Sequence, residues 1–209
     1  TLTGTVVDNE MVVALQLELN GEPPILLSLQ NEEFSLGGLR LNPGENVLRV
    51  QATDEVGNIG SDTVTIYYQP ARMLYIPEID PVQEGATIIV PVELSSIGGV
   101  GGMTFQVLYP RHLVADPVVE WVINDAGVLT DWHQIAPGRA RGTFVLPGED
   151  LASGVKRVVN LAFQTRSIAQ PVLATFQMQV IGAYSAAGEP YVSGTESRSR
   201  AVQITKRAF

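Results

Sequence analysis

Leu41 to Asn58, reading LNPGENVLRVQATDEVGN, constrains the fold of this chain more than any other stretch. A Pro43-Gly44 turn launches a strand in which Leu48, Val50 and Ala52 alternate with Val47, Arg49, Gln51 and Thr53. Side chains on a strand point alternately to its two faces, so this period of two makes one face buried and one wet. Asp54-Glu55-Val56-Gly57-Asn58 follows. Its short acid, glycine and asparagine supply the side-chain acceptors and backbone freedom of a tight turn. A second alternating strand comes next, with Val64, Ile66 and Tyr68 on one face. The pair reads as a terminal β-hairpin of a small sandwich, a framework and not a reaction centre.

The same pattern extends backward to residue 1. Leu2 to Asp8 is an opening strand, and Met11 to Asn20 alternates with Val13, Leu15, Leu17 and Leu19 inward. Asn20-Gly21 is a hairpin signal. Short strands at Ile25 to Gln30, Phe34 to Leu41, Glu45 to Asp54 and Asp62 to Gln69 complete an immunoglobulin-like sandwich without a disulfide. Pro70-Ala71-Arg72 is a very short joint to a second module.

That second module is also written in period two. Ala86 to Leu94, ATIIVPVEL, places Ile88, Val90, Val92 and Leu94 on one face. Pro91 cannot donate a ladder hydrogen bond, which predicts an edge or bulged strand there. After a glycine cluster, MTFQVLYP turns Phe105, Val107 and Tyr109 inward and Thr104, Gln106 and Leu108 outward. Further strands are expected at Arg141 to Leu146, Val155 to Thr165, Val172 to Ala183 and Ala201 to Thr205. No segment carries a helical period with caps. The expected class is all-β: an immunoglobulin-like sandwich at 1–70, then a nine-stranded jelly-roll-type sandwich at 72–209.

Charge and composition narrow the function classes. The chain of 209 residues carries a net charge of −9, most of it in residues 1–71, where ten acids face Arg40 and Arg49. Such a surface does not bind nucleic acid, whose phosphates need clustered Lys and Arg. The apolar runs are strand length, so no transmembrane segment is expected. There is no Cys, which suits an extracellular bacterial or archaeal protein and equally a cytosolic one. The opening TLTGTVVDNE lacks an initiator Met and a signal peptide, as in a processed product or a piece of a longer chain.

Two resemblances follow from motif order. L-x-G-x-V-x-D, V-x-L-x-L-N-G, F-S and L-x-P-G-x-N-x-L-x-V-x-A-x-D-x-x-G-N, over nearly all of residues 1–70, resemble bacterial immunoglobulin-like modules. Those lie beside extracellular glycoside hydrolases and in surface proteins, mainly as spacers. The V-P-V-E-L strand, the glycine-rich turn and F-Q-V-L-Y-P with His112-Leu113-Val114 open the second series. P-G-R-A-R-G-T-F-V-L, V-V-N-L-A-F and the closing R-A-V-Q-I-T complete it. In that order, across 72–206, they resemble the cohesin-like modules of bacterial scaffoldin and cell-surface proteins. Tyr109-Pro110-Arg111 stands where that family commonly has Tyr-Asp-Pro.

The resemblance implies a non-catalytic, extracellular or cell-surface module that recognises another protein, either a dockerin-like module or copies of itself. Its expected binding face is the outward side holding Thr104, Gln106, Leu108, Thr143 and Val145. Two other classes stand beside this: a structural stalk or self-assembling fibre or surface-layer subunit, and an accessory, sugar-binding part of a carbohydrate-active enzyme.

Candidate chemistry is sparse. His112 and His133 are the two histidines, too few for a zinc site without carboxylate help. There is no G-x-S-x-G, phosphate loop, G-x-G-x-x-G or EF-hand loop. Glu120, Asp125, Asp131, Glu149 and Asp150 are the acids to weigh as a glycosidase pair, and each reads equally as a solvated loop acid. Trp121 and Trp132 flank residues 122–131; Trp132, among polar neighbours, is the candidate for sugar stacking, with core packing as the alternative. Asp54 and Asn58, with Asp8 and Glu55, are candidate Ca²⁺ ligands, hard oxygen donors for a hard cation. The competing role is capping of their own turn. No other cofactor is expected.

Overall fold

The computed structural model describes residues 1–125, 127–191 and 193–207. Among them, strand follows strand with no helix between. Two compact units divide the chain, Thr1–Gln69 and Pro70–Phe209.

The first unit contains β1 (Leu2–Thr5), β2 (Val12–Leu19), β3 (Ile25–Leu26), β4 (Glu33–Leu36), β5 (Gly44–Asp54) and β6 (Ile59–Tyr68). A four-stranded sheet runs β3-β2-β5-β6, and β1 pairs with β4 in a separate two-stranded sheet. Asn20 (φ 55°) and Gly21 (φ 74°) both take the left-handed conformation that a tight hairpin after β2 requires. Leu17, Leu19 and Leu48 are buried at the centre, with Leu36, Leu41 and Ile66 packed on them. Val13 does not join them. The β2–β5 register shifts between Val12 and Ala14, and this bulge turns Val13 to solvent against the simple alternation.

Asn46 has no exposed surface, and every polar group on its side chain is used. Its Oδ1 accepts from the Asn42 N–H at 2.7 Å and from Asn20 Nδ2 at 3.1 Å. Its Nδ2 donates to the carbonyls of Asn42 and Gly44 at 2.7 and 3.0 Å. The asparagine thus ties the Pro43-Gly44 turn to the Asn20-Gly21 turn, which a purely apolar side chain could not do.

The second unit contains β7 (Arg72–Tyr75), β8 (Val82–Gln83), β9 (Thr87–Ser96), β10 (Gly102–Leu108), β11 (Val118–Trp121) and β12 (Leu129–Ala136). It continues with β13 (Arg139–Val145), β14 (Gly154–Gln164), β15 (Val172–Tyr184), β16 (Thr195–Arg198) and β17 (Arg200–Thr205). A six-stranded sheet, β12-β13-β10-β15-β17-β8, faces a five-stranded sheet, β11-β14-β9-β7-β16. The nine-stranded sandwich expected from the sequence is present and carries two further short strands, β8 and β16, each added in parallel. One core joins both sheets: Ile88, Val90 and Val92 from one meet Phe105, Phe144 and Phe176 from the other. Each such side chain contributes roughly 1.5–3 kcal/mol through burial.

Pro91 corrects an expectation. Its strand, β9, is interior, lying between β14 and β7. It is tolerated because β7 pairs with β9 only as far as Tyr75↔Glu93, so at Pro91 one side of the strand has no ladder to complete. On the other side β14 shifts register between Arg157 and Val159.

Candidate protein-recognition face

The outward surface of β12, β13, β10 and β15 is a four-strand platform whose rows are set by register. Leu129 is opposite Val145, Val145 opposite Gly102, and Gly102 opposite Tyr184. The next row is Asp131, Thr143, Thr104 and Gly182, followed by His133, Arg141, Gln106 and Gln179. Arg139, Leu108 and Gln177 make the last.

These rows sort by chemistry. Leu129, Val145 and Tyr184 are exposed along the first, and Gly102 adds no side chain between them. Ile181 joins them because a register shift between Thr104 and Phe105 gives β15 an extra residue, whose side chain stands outward. Thr104 and Thr143 hydroxyls meet at 3.2 Å. His133 Nδ1 lies 2.8 Å from Asp131 Oδ2. Arg139 and Arg141 make the far end cationic, and Arg141 Nε is buried without a hydrogen-bond partner. An apolar strip beside polar and cationic rows is what a specific protein partner needs: anchors to desolvate and charges to fix register.

Of the five residues expected on this face, Thr104, Gln106, Leu108 and Thr143 are partly exposed and Val145 is exposed. Sequence reasoning missed Leu129, Ile181 and Tyr184. Leu129 begins β12, a strand that mixes polar and apolar residues on both faces and so shows no clean alternation; the Pro137-Gly138 turn before β13 was the available signal. Gly138 takes φ 74° there, joining β12 to β13 through a tight hairpin.

Trp132 packs against the core. It is the inward residue of β12, paired across from Gly142, and its ring sits 6.4 Å from that of Phe105. Trp121 approaches the same Phe105 ring edge-on, also at 6.4 Å. Both indoles pack against the core.

Three of the candidate acids have local partners. Glu120 accepts from Asn160 Nδ2 at 3.0 Å, Asp125 pairs with Lys156 at 3.6 Å, and Asp150 accepts from the Ala186 N–H at 2.7 Å. Tyr109 donates to Asp116 at 2.9 Å, and burial first, then that bond, pushes its hydroxyl pKa well above the usual value.

The candidate calcium ligands are brought together only in part. Asp54 is buried; its Oδ1 accepts from the N–H groups of Val56 at 3.0 Å and Asn58 at 2.7 Å, and its Oδ2 from Asn58 Nδ2 at 2.6 Å. Burial works to raise its pKa, but the bonds from Asn58, Val56 and Gly57 outweigh it and hold the carboxyl below the usual value. Asp8 Oδ1 accepts from its neighbour Glu10 N–H at 2.9 Å, and Glu55 is exposed. Among the described residues no three or more His, Cys, Asp or Glu side chains gather to hold a metal ion.

No family model matches the sequence, and no curated protein matches it. Solved structures do match. A type I cohesin–dockerin complex from Clostridium thermocellum has a chain 14% identical, with a TM-score of 0.55, matching 66% of this chain and 96% of its own. A non-cellulosomal cohesin from the hyperthermophilic archaeon Archaeoglobus fulgidus is 15% identical, with a TM-score of 0.52 over 64% and 91%. The cohesin module of a Clostridium perfringens family 33 glycoside hydrolase is 13% identical, with a TM-score of 0.52 over 66% and 98%. The likeness is one of fold: a cohesin-type jelly roll spans about two thirds of this chain.

Proposed function

We propose that this chain is a non-catalytic recognition segment of an extracellular or cell-surface protein. Residues 72–209 form a cohesin-like domain that captures a partner protein, and residues 1–70 form a bacterial immunoglobulin-like spacer. The partner is a dockerin-like module, bound on the outward face of β12, β13, β10 and β15. The observation that carries this reading is the aligned exposed row of Leu129, Val145 and Tyr184 on a cohesin-type fold. An apolar strip across four adjacent strands is costly to leave in water and useful to bury against a partner. The solved Clostridium thermocellum cohesin with its dockerin supports the choice of partner class.

The test is direct binding of the intact chain to a panel of type I dockerin modules, by calorimetry in the presence of calcium. Saturable one-to-one binding to a member of the panel supports the reading. Absence of binding across the panel removes the dockerin assignment.

A further inference from the structure

A groove of about 790 Å³ opens between β1 and β6, floored by Phe34, Val50 and Ala52. A residue patterned for the core lies uncovered in it. Val64 pairs across from Leu48, so it points to the same side as that fully buried leucine, yet it is 46% exposed. The two sheets leave this side of the sandwich open.

Both walls are free sheet edges. Among the described residues β6 pairs only with β5, and β1 only with β4. The Asp54 N–H donates to the Asn58 carbonyl, which sets the alternation of the hairpin. Even-numbered residues from Gly60 onward therefore bond to β5, and Ile59, Ser61, Thr63 and Thr65 turn their N–H and C=O groups to the open edge. The Thr63 N–H confirms this phase: it donates to Asp62 Oδ1 at 2.8 Å. On β1, the Val6 N–H donates to the Glu32 carbonyl, so Thr3 and Thr5 face outward in the same way.

The charge around this opening has one sign. Asp8, Asp54 and Asp62 line the groove, and no Lys, Arg or His does among the described residues. Asp62 pairs across from Val50, which places a carboxylate on the inward side of an edge strand. That arrangement repels a second copy of this acidic unit and attracts a cation.

We infer that this groove binds an extended cationic polypeptide segment, which adds as a strand to the open edge of β6. Its backbone pairs with the outward groups of Ser61, Thr63 and Thr65, taking the Thr63 N–H over from Asp62. On the inward face its apolar side chains cover Val50, Ala52 and Val64 and its lysines or arginines meet Asp8 and Asp62, which lie on that same side; the intervening side chains face solvent. This is β-augmentation, in which main-chain bonds give affinity and alternate side chains give specificity. From Ile59 to Thr65 the edge runs about 20 Å, which suits a segment of roughly seven residues.

The probe is an acetylated peptide of about that length with threonine at every second position and valine and lysine alternating at the positions between, so that both face the groove. Its controls carry glutamate in place of lysine or a central proline. Binding to the intact chain is followed by backbone amide shifts and hydrogen exchange. The valine–lysine peptide should bind, weaken with salt, and slow exchange at Thr63 and Thr65, while both controls fail. Asp8→Asn with Asp62→Asn should weaken binding about tenfold, as expected for losing two partly desolvated ion pairs. Thr63→Pro removes an outward N–H without touching a β5–β6 bond and should abolish binding with the fold intact. Equal binding of the valine–glutamate peptide, perturbation confined to β10 and β13, or dimerisation of the free chain through β6 would each overturn the inference. Since the readout lies in the first unit, failure here is separable from failure of dockerin capture.

Discussion

Phe105 occupies the space where a side chain on Gly142 would stand. The two are paired across β10 and β13, and a Cβ on Gly142 would meet Phe105 Cζ at 2.5 Å. Gly142 is thus a packing glycine: its absent side chain lets the Phe105 ring lie under the sheet and reach Trp121 and Trp132.

Gly142→Ala should therefore destabilise the second unit by about 1–3 kcal/mol through overpacking. Chemical denaturation with tryptophan fluorescence reads the effect at the site itself. A change near zero would mean that the Phe105 ring can move aside.

Asn46→Ala should cost the first unit about 1–3 kcal/mol, because groups of Asn20 and Asn42 lose their buried partner. The measurement is the urea transition of the first unit. Asn46→Asp keeps the acceptor but not the donor, and should recover only part of the loss.

On the proposed recognition face, Leu129→Glu with Val145→Lys is the informative pair. The two positions are exposed and directly opposite, so the new charges attract one another and stability should change by less than about 0.5 kcal/mol. Partner capture should be lost. A large fall in melting temperature would show that the row is buried in the folded protein.

Asp54→Ala should lower the melting temperature of the first unit by removing three accepted hydrogen bonds from its turn. As a cap, the effect should be the same with and without a chelator. A chelator-induced drop in the wild type that vanishes in the variant would instead place calcium at Asp54, Asn58, Asp8 and Glu55.

The pH profile of the second unit should carry a signature of Glu84. The Ile168 N–H bond at 2.9 Å is the main cause of a pKa below the usual 4.5; burial opposes it, and Arg207, Lys206 and Ser167 assist. Because the folded value is the lower one, its stabilisation is full above about pH 4.5 and is lost as pH falls through the folded pKa. Acid-limb melting curves of Glu84→Gln should be flatter than those of the wild type.

Strand identity and facing were legible because they are local. The alternation of Thr104, Gln106, Thr143 and Val145 with Phe105, Phe144 and Leu146 is written residue by residue, and the structure has the same faces. The Asn20-Gly21 turn was equally plain, since left-handed backbone favours those residues. β12 was not legible: polar and apolar residues mix on both of its faces, and its place in the sheet is defined by its partner β13.

What the sequence determined on its own is period and punctuation: an all-β chain of short strands, and which face of most strands is apolar. What only the tertiary structure decided is register and neighbourhood. Bulges reversed Val13 and turned out Ile181, and the end of β7 made an interior proline acceptable. The row Leu129, Val145, Gly102 and Tyr184 gathers residues from four separate strands. The open side between β1 and β6 depends on which strand pairs with which. The physical reason is that alternation acts between adjacent residues, while a one-residue slip between distant strands changes every contact without altering the pattern of either.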